Sequence, residues 1–530
     1  FNLKAKALPL LFIIAATESM NPTQAKIENF IGGEWTKPKI DNYIDVTSPN
    51  NGEMLSRVAI SSAEDVDFAV QTAMIAFSDW SNLTVKSRAA IMFRFHELMT
   101  KHIDEIAELI VKENGKNIVE AKASVAKGIE TIEWACAMPQ MIPGNVLQVS
   151  KGIECRDFRE PLGVVGCIVP FNFPAMVPMW TIPIALVAGN CVIVKPSEKV
   201  PMTLKKIAEL MKESGIPPGV FQVVNGAVEV VNAMCDHPNI SAVSFVGSSR
   251  VAQLVTKRCQ AVGKRVLALG GAKNHLVALP DCEILSASKD IVASFAGCAG
   301  QRCMAASVLI CVGRDSAQLL INEVVKLSKE LSPGVKAGQV GAIIDIQSRD
   351  RIMKYVNEAE AAGARVLLDG RGWAELEKGS WFGPTVMLHE RSDDDAVKDE
   401  IFGPVLSVLV VDTWEEALEI EGANPYGNAA SIYTTSGASA EFFSHRFKAG
   451  MIGVNIGIPV PREPFSFGGL IGSRSNYGGN DITGDGAMEF FTTRRKITSR
   501  WPKADKSDFP REMASEQKPA ADGASFVGQI

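Results

Sequence analysis

The sequence predicts an α/β protein with a parallel, doubly wound sheet in its middle and a second α/β domain after it. Its 530 residues are several times the length of an average domain, so more than one domain is expected. Short apolar strands that alternate with helices predict the first sheet, at residues 162–169, 191–194, 221–224, 242–246 and 265–269. A second series predicts the second domain, with strands at residues 307–312, 405–411, 430–434 and 451–455.

The regions outside the two strand series have different characters. Apolar residues at helix spacing predict packing helices from residue 62 to about residue 138. Residues 1–17 contain two lysines and no acid, which is typical of a targeting segment, but Met20 is also a possible start, so both interpretations of residues 1–19 stay open. Residues 502–530 are rich in polar residues and poor in large apolar ones, which predicts a flexible tail.

Composition excludes several classes of function. Hydrophobic residues make up 46% and charged residues 22%, as in a chain with large cores. The 54 basic and 60 acidic side chains leave a formal charge of -6 without a basic stripe, so we expect no nucleic-acid partner. The longest apolar run, residues 7–16, is too short to cross a bilayer, so we expect no membrane partner. The expected partners are small molecules or copies of the chain.

The spacing of the cysteines and histidines bears on whether the chain has a metal site. The ten cysteines lack the C-x-x-C pairs of zinc sites, and we interpret them as reduced thiols of an intracellular compartment. The six histidines are scattered without ligand spacing. The sequence therefore predicts neither a metal site nor a Ser-His triad.

Residues 296–304 place two thiols, Cys298 and Cys303, in a Gly-rich segment beside Arg302. Either thiol is a possible nucleophile, although most cysteines are simply small buried apolar side chains. Cys303 is the stronger candidate, because Arg302 favours its thiolate and the neighbouring glycines let a substrate carbonyl approach the backbone. Cys298, flanked by Gly and Ala alone, is interpreted as a buried residue.

Polar side chains follow three predicted strands, where ligands of open α/β sheets gather. Asn172 is a possible donor to an oxyanion, or alternatively a residue that forms a turn. Lys195 and Glu198 are placed to bind ribose hydroxyls, unless their loop is simply solvated. Ser248 lies where a strand ends and a helix begins, which offers a hydroxyl and backbone N–H groups to a phosphate. No G-x-G-x-x-G follows any strand, so an ordinary dinucleotide fingerprint is missing.

Six motifs in register give the chain a resemblance to a known family. They are Phe30-Ile31-Gly32-Gly33-Glu34-Trp35, Phe171-Asn172-Phe173-Pro174, Lys195-Pro196-Ser197-Glu198, Gly215-Ile216-Pro217-Pro218-Gly219-Val220, Gln301-Arg302-Cys303 and Glu400-Ile401-Phe402-Gly403-Pro404. From about Phe30 to Trp501 the chain resembles the NAD-dependent aldehyde dehydrogenases. Residues 271–275, 300–305 and 492–501 resemble the CoA-acylating methylmalonate-semialdehyde branch.

The resemblance implies an architecture and a set of site residues. It implies a Rossmann-like NAD domain (20–144 and 161–268), a catalytic domain (269–470) and a small oligomerisation extension (145–160 and 471–501) that builds a homotetramer. Cys303 would attack the aldehyde, while Asn172 and the Cys303 backbone N–H would hold the oxyanion. The implied NAD-binding residues are Phe171, Lys195, Glu198, Ser248, Glu400 and Phe402. Glu400 is alternatively one surface acid in an acidic run.

The most informative departure from the family is Ala268. Hydrolytic aldehyde dehydrogenases carry at this place a glutamate that activates water, and alanine cannot do so. An acyl-enzyme without this base needs a better nucleophile than water, which the thiol of coenzyme A provides. A damaged or poorly active hydrolase is the alternative interpretation.

Substrate choice rests on two cations. Arg302 supplies a guanidinium for a carboxylate beside the aldehyde. The relatives carry a second arginine on an N-terminal helix, where this chain has Lys127, which keeps the charge without bidentate binding.

The resemblance therefore implies oxidation of malonate or methylmalonate semialdehyde to acetyl-CoA or propionyl-CoA with NAD, CoA and loss of CO2, as in valine catabolism. A targeting segment would imply the mitochondrial matrix, and its absence the cytoplasm. A broad hydrolytic aldehyde dehydrogenase and a non-catalytic NAD-binding protein remain alternatives.

Overall fold

The computed structural model describes residues 25–142 and 144–501. Within these residues the chain divides into two compact units: 25–141 with 161–493, and 142–160 with 494–501. The predicted targeting segment (1–19) and tail (502–530) lie outside the described residues. In the part of the chain that is described, no helix is both long and apolar enough to cross a membrane.

The first third of the chain contains short strands and the predicted packing helices. In chain order these are β1 (Lys26–Ile27), β2 (Asn29–Ile31), β3 (Glu34–Thr36), β4 (Tyr43–Thr47), β5 (Met54–Ala59), α1 (Ala63–Asn82), α2 (Val85–Lys101), α3 (Ile103–Asn114), α4 (Ile118–Met141), β6 (Asn145–Ser150) and β7 (Ile153–Pro161). Helix α1 begins at a capping box, in which Asp65 accepts from the backbone N–H of Ser62. Buried apolar side chains at helix spacing then face the core.

Strands and helices then alternate. The elements are β8 (Val164–Ile168), α5 (Met176–Val187), β9 (Cys191–Lys195), α6 (Pro201–Glu213), β10 (Phe221–Val223), α7 (Val228–Asp236), β11 (Ile240–Val246), α8 (Ser249–Ala261) and β12 (Arg265–Leu269). The five strands of this series and the early strands β2 and β3 form a seven-stranded sheet in the order β12-β11-β8-β9-β10-β2-β3. The five alternating strands run parallel, and β2 and β3 are antiparallel additions at one edge. Every residue of β8 and β9 is buried, as expected for a sheet covered on both faces.

The rest of the larger unit contains a second alternating series. Its elements are β13 (Asn274–Ala278), α9 (Ile284–Ala296), β14 (Ala306–Val312), α10 (Arg314–Lys329), α11 (Ile346–Ala361), β15 (Arg365–Leu368), β16 (Thr385–Leu388), α12 (Asp395–Lys398), β17 (Val405–Val411), α13 (Trp414–Ala423), β18 (Ala429–Tyr433), α14 (Gly437–Ser444), β19 (Met451–Val454) and α15 (Gly484–Phe490). The sheet order is β15-β16-β17-β14-β13-β18-β19, and only the β15–β16 pair is antiparallel. The predicted α/β fold class with two parallel-sheet layers is confirmed.

The smaller unit is a three-stranded sheet of β6, β7 and β20 (Thr492–Ser499). Ion pairs link its strands, with Arg494 Nη1 2.9 Å from Asp157 Oδ2 and Arg495 Nε 2.8 Å from Glu160 Oε2. This unit covers less of the chain than the predicted extension of 145–160 and 471–501. Residues 471–493 belong to the larger unit, where Asn190 Nδ2 donates to the carbonyl oxygen of Phe491 at 2.9 Å.

The chain passes from the first large sheet to the second between Leu269 and Asn274. In a parallel sheet the carboxyl ends of the strands meet at one edge, so the segments after β8, β9, β11 and β12 are brought together there. These segments contain most of the predicted site residues.

Candidate active site

A cavity of about 1050 Å³ opens at the carboxyl edge of the first sheet, within the larger unit. Eight of the ten predicted site residues line it: Phe171, Asn172, Lys195, Glu198, Ser248, Cys303, Glu400 and Phe402. Residues more than 200 positions apart in the sequence thus share one wall. The cavity is large enough for an extended ligand of the dinucleotide class.

Cys303 is partly exposed at the wall of this cavity. Its backbone carbonyl accepts hydrogen bonds from Asn274 Nδ2 at 2.8 Å and from Asn428 Nδ2 at 2.9 Å. These two bonds fix the backbone of the nucleophile segment. Surrounding protein atoms raise the pKa of the thiol to about 12, and the charge of Glu400 acts in the same direction. Arg302 lowers this pKa as predicted, but its effect is smaller than that of burial. The thiol therefore stays protonated at neutral pH until a proton acceptor is present.

Asn172 is buried beside the nucleophile segment. Its side-chain nitrogen donates to the backbone carbonyl of Gln301 at 3.0 Å. Gln301 is fixed in turn, because its side-chain oxygen accepts from the backbone N–H of Ile344 at 3.0 Å. The amide of Asn172 carries two N–H groups, so one remains for an oxygen that forms near the thiol.

The Asn172 segment is also held by two residues that the sequence analysis missed. Asn114, the last residue of α3, donates from Nδ2 to the carbonyl of Phe171 at 2.9 Å. The buried ammonium of Lys116 donates to the Asn172 carbonyl and, at 3.1 Å, to Asn114 Oδ1. Burial lowers the pKa of Lys116. The sequence signal for this pair is a run of polar residues, 112–117, inside the region of predicted packing helices.

Glu400 lies deep in the cavity wall, and its Oε1 accepts from the backbone N–H of Ala272 at 2.8 Å. Burial raises the pKa of this carboxyl to about 7. Gly271 lies against this carboxylate, so a Cβ at position 271 would displace the Glu400 side chain from its present position. The rings of Phe171 and Phe402 meet edge to face with centroids 6.0 Å apart. Glu400 is thus a cavity residue and not the exposed acid of the alternative interpretation.

Lys195 and Glu198 form an ion pair at the end of β9, with Nζ 3.1 Å from Oε2. Burial opposes ionisation of Glu198, but the ammonium of Lys195 holds the pKa of this carboxyl below its ordinary value. The carboxylate is therefore charged at neutral pH and faces the cavity. An ionised carboxylate at this strand end accepts hydrogen bonds from hydroxyl groups and repels a phosphate.

Ser248 occupies the N-cap position of the 13-residue helix α8, and its side chain makes no capping hydrogen bond. The first N–H groups of α8 and the Ser248 hydroxyl are therefore open toward the cavity. The next residue, Ser249, accepts from the Gly271 N–H at 2.9 Å and donates to the Arg474 carbonyl at 2.8 Å. The first of these bonds ties the α8 N-terminus to the segment after β12, and the second ties it to the segment between β19 and α15.

The two predicted substrate cations do not line the cavity. Arg302 is held by Glu120, with Nη2 3.2 Å from Oε1. Lys127 is held by two carboxylates, at 2.8 Å from Glu463 Oε2 and 2.9 Å from Glu130 Oε2. The charges that the sequence assigned to substrate binding are therefore already compensated within the protein.

Ala268 is completely buried on β12 and carries no group that could activate water. The carboxylates that do line the cavity are those of Glu198, Asp399 and Glu400. Over the described ranges, no group of three or more His, Cys, Asp or Glu side chains is arranged to hold a metal ion.

A cysteine and a buried amide donor thus line one dinucleotide-sized cavity, and this arrangement agrees with the comparisons to known proteins. The model of the aldehyde dehydrogenase family matches residues 35–497. The chain belongs to the aldehyde dehydrogenase family.

Several known proteins are similar to this chain over most of its length. Malonate-semialdehyde dehydrogenase 2 of Geobacillus kaustophilus is 41% identical over 480 residues, which cover 90% of this chain and 99% of the relative. The crystal structure of methylmalonate-semialdehyde dehydrogenase from Oceanimonas doudoroffii is 37% identical, with a TM-score of 0.88 over 91% of this chain and 99% of that one. A protein of Sinorhizobium meliloti solved with NAD is 35% identical, with a TM-score of 0.89 over 92% and 100%.

Proposed function

We propose that this enzyme oxidises malonate or methylmalonate semialdehyde with NAD and transfers the resulting acyl group to coenzyme A. One observation carries the proposal: Cys303 and Asn172 share a cavity with Lys195, Glu198 and Glu400, as covalent aldehyde oxidation requires. The names of the relatives support the acidic semialdehyde as substrate.

The residues of the cavity fit NAD. Glu198 and Lys195 would hold the adenosine ribose, and the open N–H groups of α8 with Ser248 would hold the pyrophosphate. Glu400 would hold the nicotinamide ribose, and Phe171 and Phe402 line the same cavity. When bound, NAD supplies the hydride acceptor.

The protein's own chemistry centres on the thiol. Cys303 Sγ bonds to the aldehyde carbon once its proton has been removed, and the carbonyl oxygen becomes an oxyanion. The spare N–H of Asn172 and the backbone N–H of Cys303 would stabilise that oxygen. Loss of hydride turns the thiohemiacetal into a thioester on Cys303.

The fate of the thioester follows from Ala268. Without a carboxylate at this buried position the protein offers no base there for water, so the acyl-enzyme persists. For the acidic semialdehydes the C–C bond to the substrate carboxylate breaks, CO2 leaves, and the carbanion that remains on the α-carbon takes up a proton from water. The thiol of CoA attacks the carbonyl carbon, Cys303 leaves as thiolate, and the proton of the CoA thiol returns to Cys303, which gives acetyl-CoA or propionyl-CoA. We further propose that the enzyme forms a homotetramer. We propose that it is located in mitochondria, with the cytoplasm as the alternative.

The decisive experiment is turnover with and without CoA. We expect one rapid burst of NADH per active site without CoA and sustained turnover with it. Ala268→Glu should raise CoA-independent turnover, because burial raises the pKa of a carboxylate toward neutral pH and makes it an effective base. Ala268→Gln is the matched control and should stay CoA-dependent.

Other outcomes identify the alternatives. Equal steady turnover with and without CoA, with free acid as product, would mean a hydrolytic dehydrogenase. NAD binding without any NADH burst would mean a non-catalytic NAD-binding protein.

A further inference from the structure

Three consecutive residues of the turn before the nucleophile have a left-handed backbone. They are Cys298 with φ of 51°, Ala299 with φ of 52° and Gly300 with φ of 68°. This conformation suits glycine but is unfavourable for Cys298 and Ala299, which carry a Cβ. It persists only where surrounding contacts hold it. The turn ends three residues before Cys303, so these contacts also determine where the thiol lies.

The carboxylate of Glu120, on helix α4, makes one set of these contacts. Its Oε1 accepts from the backbone N–H of Cys298 at 2.7 Å and from Arg302 Nη2 at 3.2 Å. Arg302 Nε in turn lies 3.1 Å from Cys298 Sγ. One carboxylate oxygen therefore joins the start of the strained turn to the residue that precedes the nucleophile.

These groups are shielded from water. The side chains of Glu120 and Arg302 are only 16% and 17% exposed. Removing one member of such a pair leaves the other charge uncompensated, so its effect is far larger than at a surface ion pair. Lys116, four residues before Glu120, donates to the Asn172 carbonyl oxygen. The start of α4 and the residues just before it thus support both the nucleophile turn and the Asn172 segment.

We propose that Glu120 is a positioning residue, which holds the 297–300 turn and the Arg302 side chain so that Cys303 is presented to the cavity. The proposal rests on the proposed function only in taking Cys303 as the nucleophile. It also gives Arg302 an internal role, because the Nε and Nη2 edge of its guanidinium is occupied by Cys298 and Glu120.

The test measures Cys303 directly. The rate of Cys303 alkylation by iodoacetamide is followed on its peptide by mass spectrometry, and the NADH burst is measured with propanal, a neutral aldehyde. In Glu120→Leu both rates should fall by about tenfold or more, since a misplaced nucleophile loses rate steeply. Glu120→Gln keeps an oxygen for the Cys298 N–H, so its two rates should fall less.

The dissociation constant of NAD should stay within about twofold of the parent value. Glu133→Gln, at an exposed position of the same helix, is the matched control and should change neither rate.

Folded Glu120→Leu and Glu120→Gln variants that alkylate and burst like the parent would overturn the proposal. If Glu120→Leu does not fold, the cycle of Glu120→Gln, Arg302→Gln and the double variant decides. Residues that act as one unit should give a double variant no slower than the slower single variant, whereas additive losses would contradict the proposal. Failure of the proposed function would show itself differently, as a parent enzyme without any NADH burst.

Discussion

The side-chain amide of Asn172 donates to the backbone carbonyl of Gln301 at 3.0 Å, two residues before the thiol of Cys303. This bond joins the segment after β8 in the first sheet to the nucleophile segment that precedes β14 in the second. It orients one N–H of the amide and leaves the other for substrate. The distance between oxyanion donor and nucleophile is therefore set by the protein before any aldehyde binds.

Replacement of Asn172 by alanine should lower the rate of the NADH burst on the order of 100- to 1000-fold, as loss of an oxyanion donor lowers reaction rates elsewhere. The burst rate with propanal measures this effect, and NAD binding should be unchanged. Asn51→Ala, at an exposed position, is the control. A burst rate within about threefold of the parent value would remove Asn172 from the reaction.

Glu198→Gln should change the choice of dinucleotide. The charged Glu198 repels a 2′-phosphate and accepts from ribose hydroxyls, so its neutral replacement should weaken NAD binding by about tenfold and improve NADP binding. Dissociation constants for both dinucleotides check this. Glu213→Gln, exposed at the end of α6, should leave both constants unchanged. An unaltered preference in Glu198→Gln would place the ribose elsewhere.

NAD affinity should rise as the pH passes upward through about 7. The pKa of Glu400 is raised to about 7, so this carboxyl is neutral below that pH and ionised above it. The ionised form accepts hydrogen bonds from two ribose hydroxyls more strongly than the neutral acid does. Measurements from about pH 6 to about pH 8 on the parent enzyme and on Glu400→Gln test this. A pH dependence that survives in Glu400→Gln would point to the neighbouring Lys273, whose pKa burial lowers to about 7.

Lys127→Arg should lower KM severalfold for acidic aldehydes and leave KM for propanal unchanged. A guanidinium has five donors, so it can keep the contact with Glu463 and still offer N–H groups to a substrate carboxylate. Lys122→Arg is the matched control on the same helix, where the lysine pairs with Asp104 at 2.8 Å. If KM changes for neither aldehyde class, Lys127 lies outside the substrate site.

Much of the fold follows from local sequence patterns. The apolar run at 405–411 coincides with β17, and the runs before Asn172 and Lys195 coincide closely with β8 and β9. Strands β13, β15 and β16 were not predicted. The two outer strands β15 and β16 have only four residues each, too few to show a period, and β13 follows a Gly-rich segment that reads as a loop.

The cavity could be anticipated for a topological reason, whereas the ion pairs could not. Side chains such as Lys195 and Ser248 follow parallel strands, so one sheet edge gathers them. The partner of Lys127 lies 336 residues further on, at Glu463, and no local pattern reveals it. For the same reason no local pattern reveals that Glu120 neutralises Arg302.

The most direct measurement is mass spectrometry of the enzyme after incubation with NAD and propanal in the absence of CoA. The account predicts a propionyl group on the peptide that contains Cys303, which disappears when CoA is added as propionyl-CoA forms. An unmodified Cys303 alongside NADH formation, or an acyl group on any other residue, would contradict it.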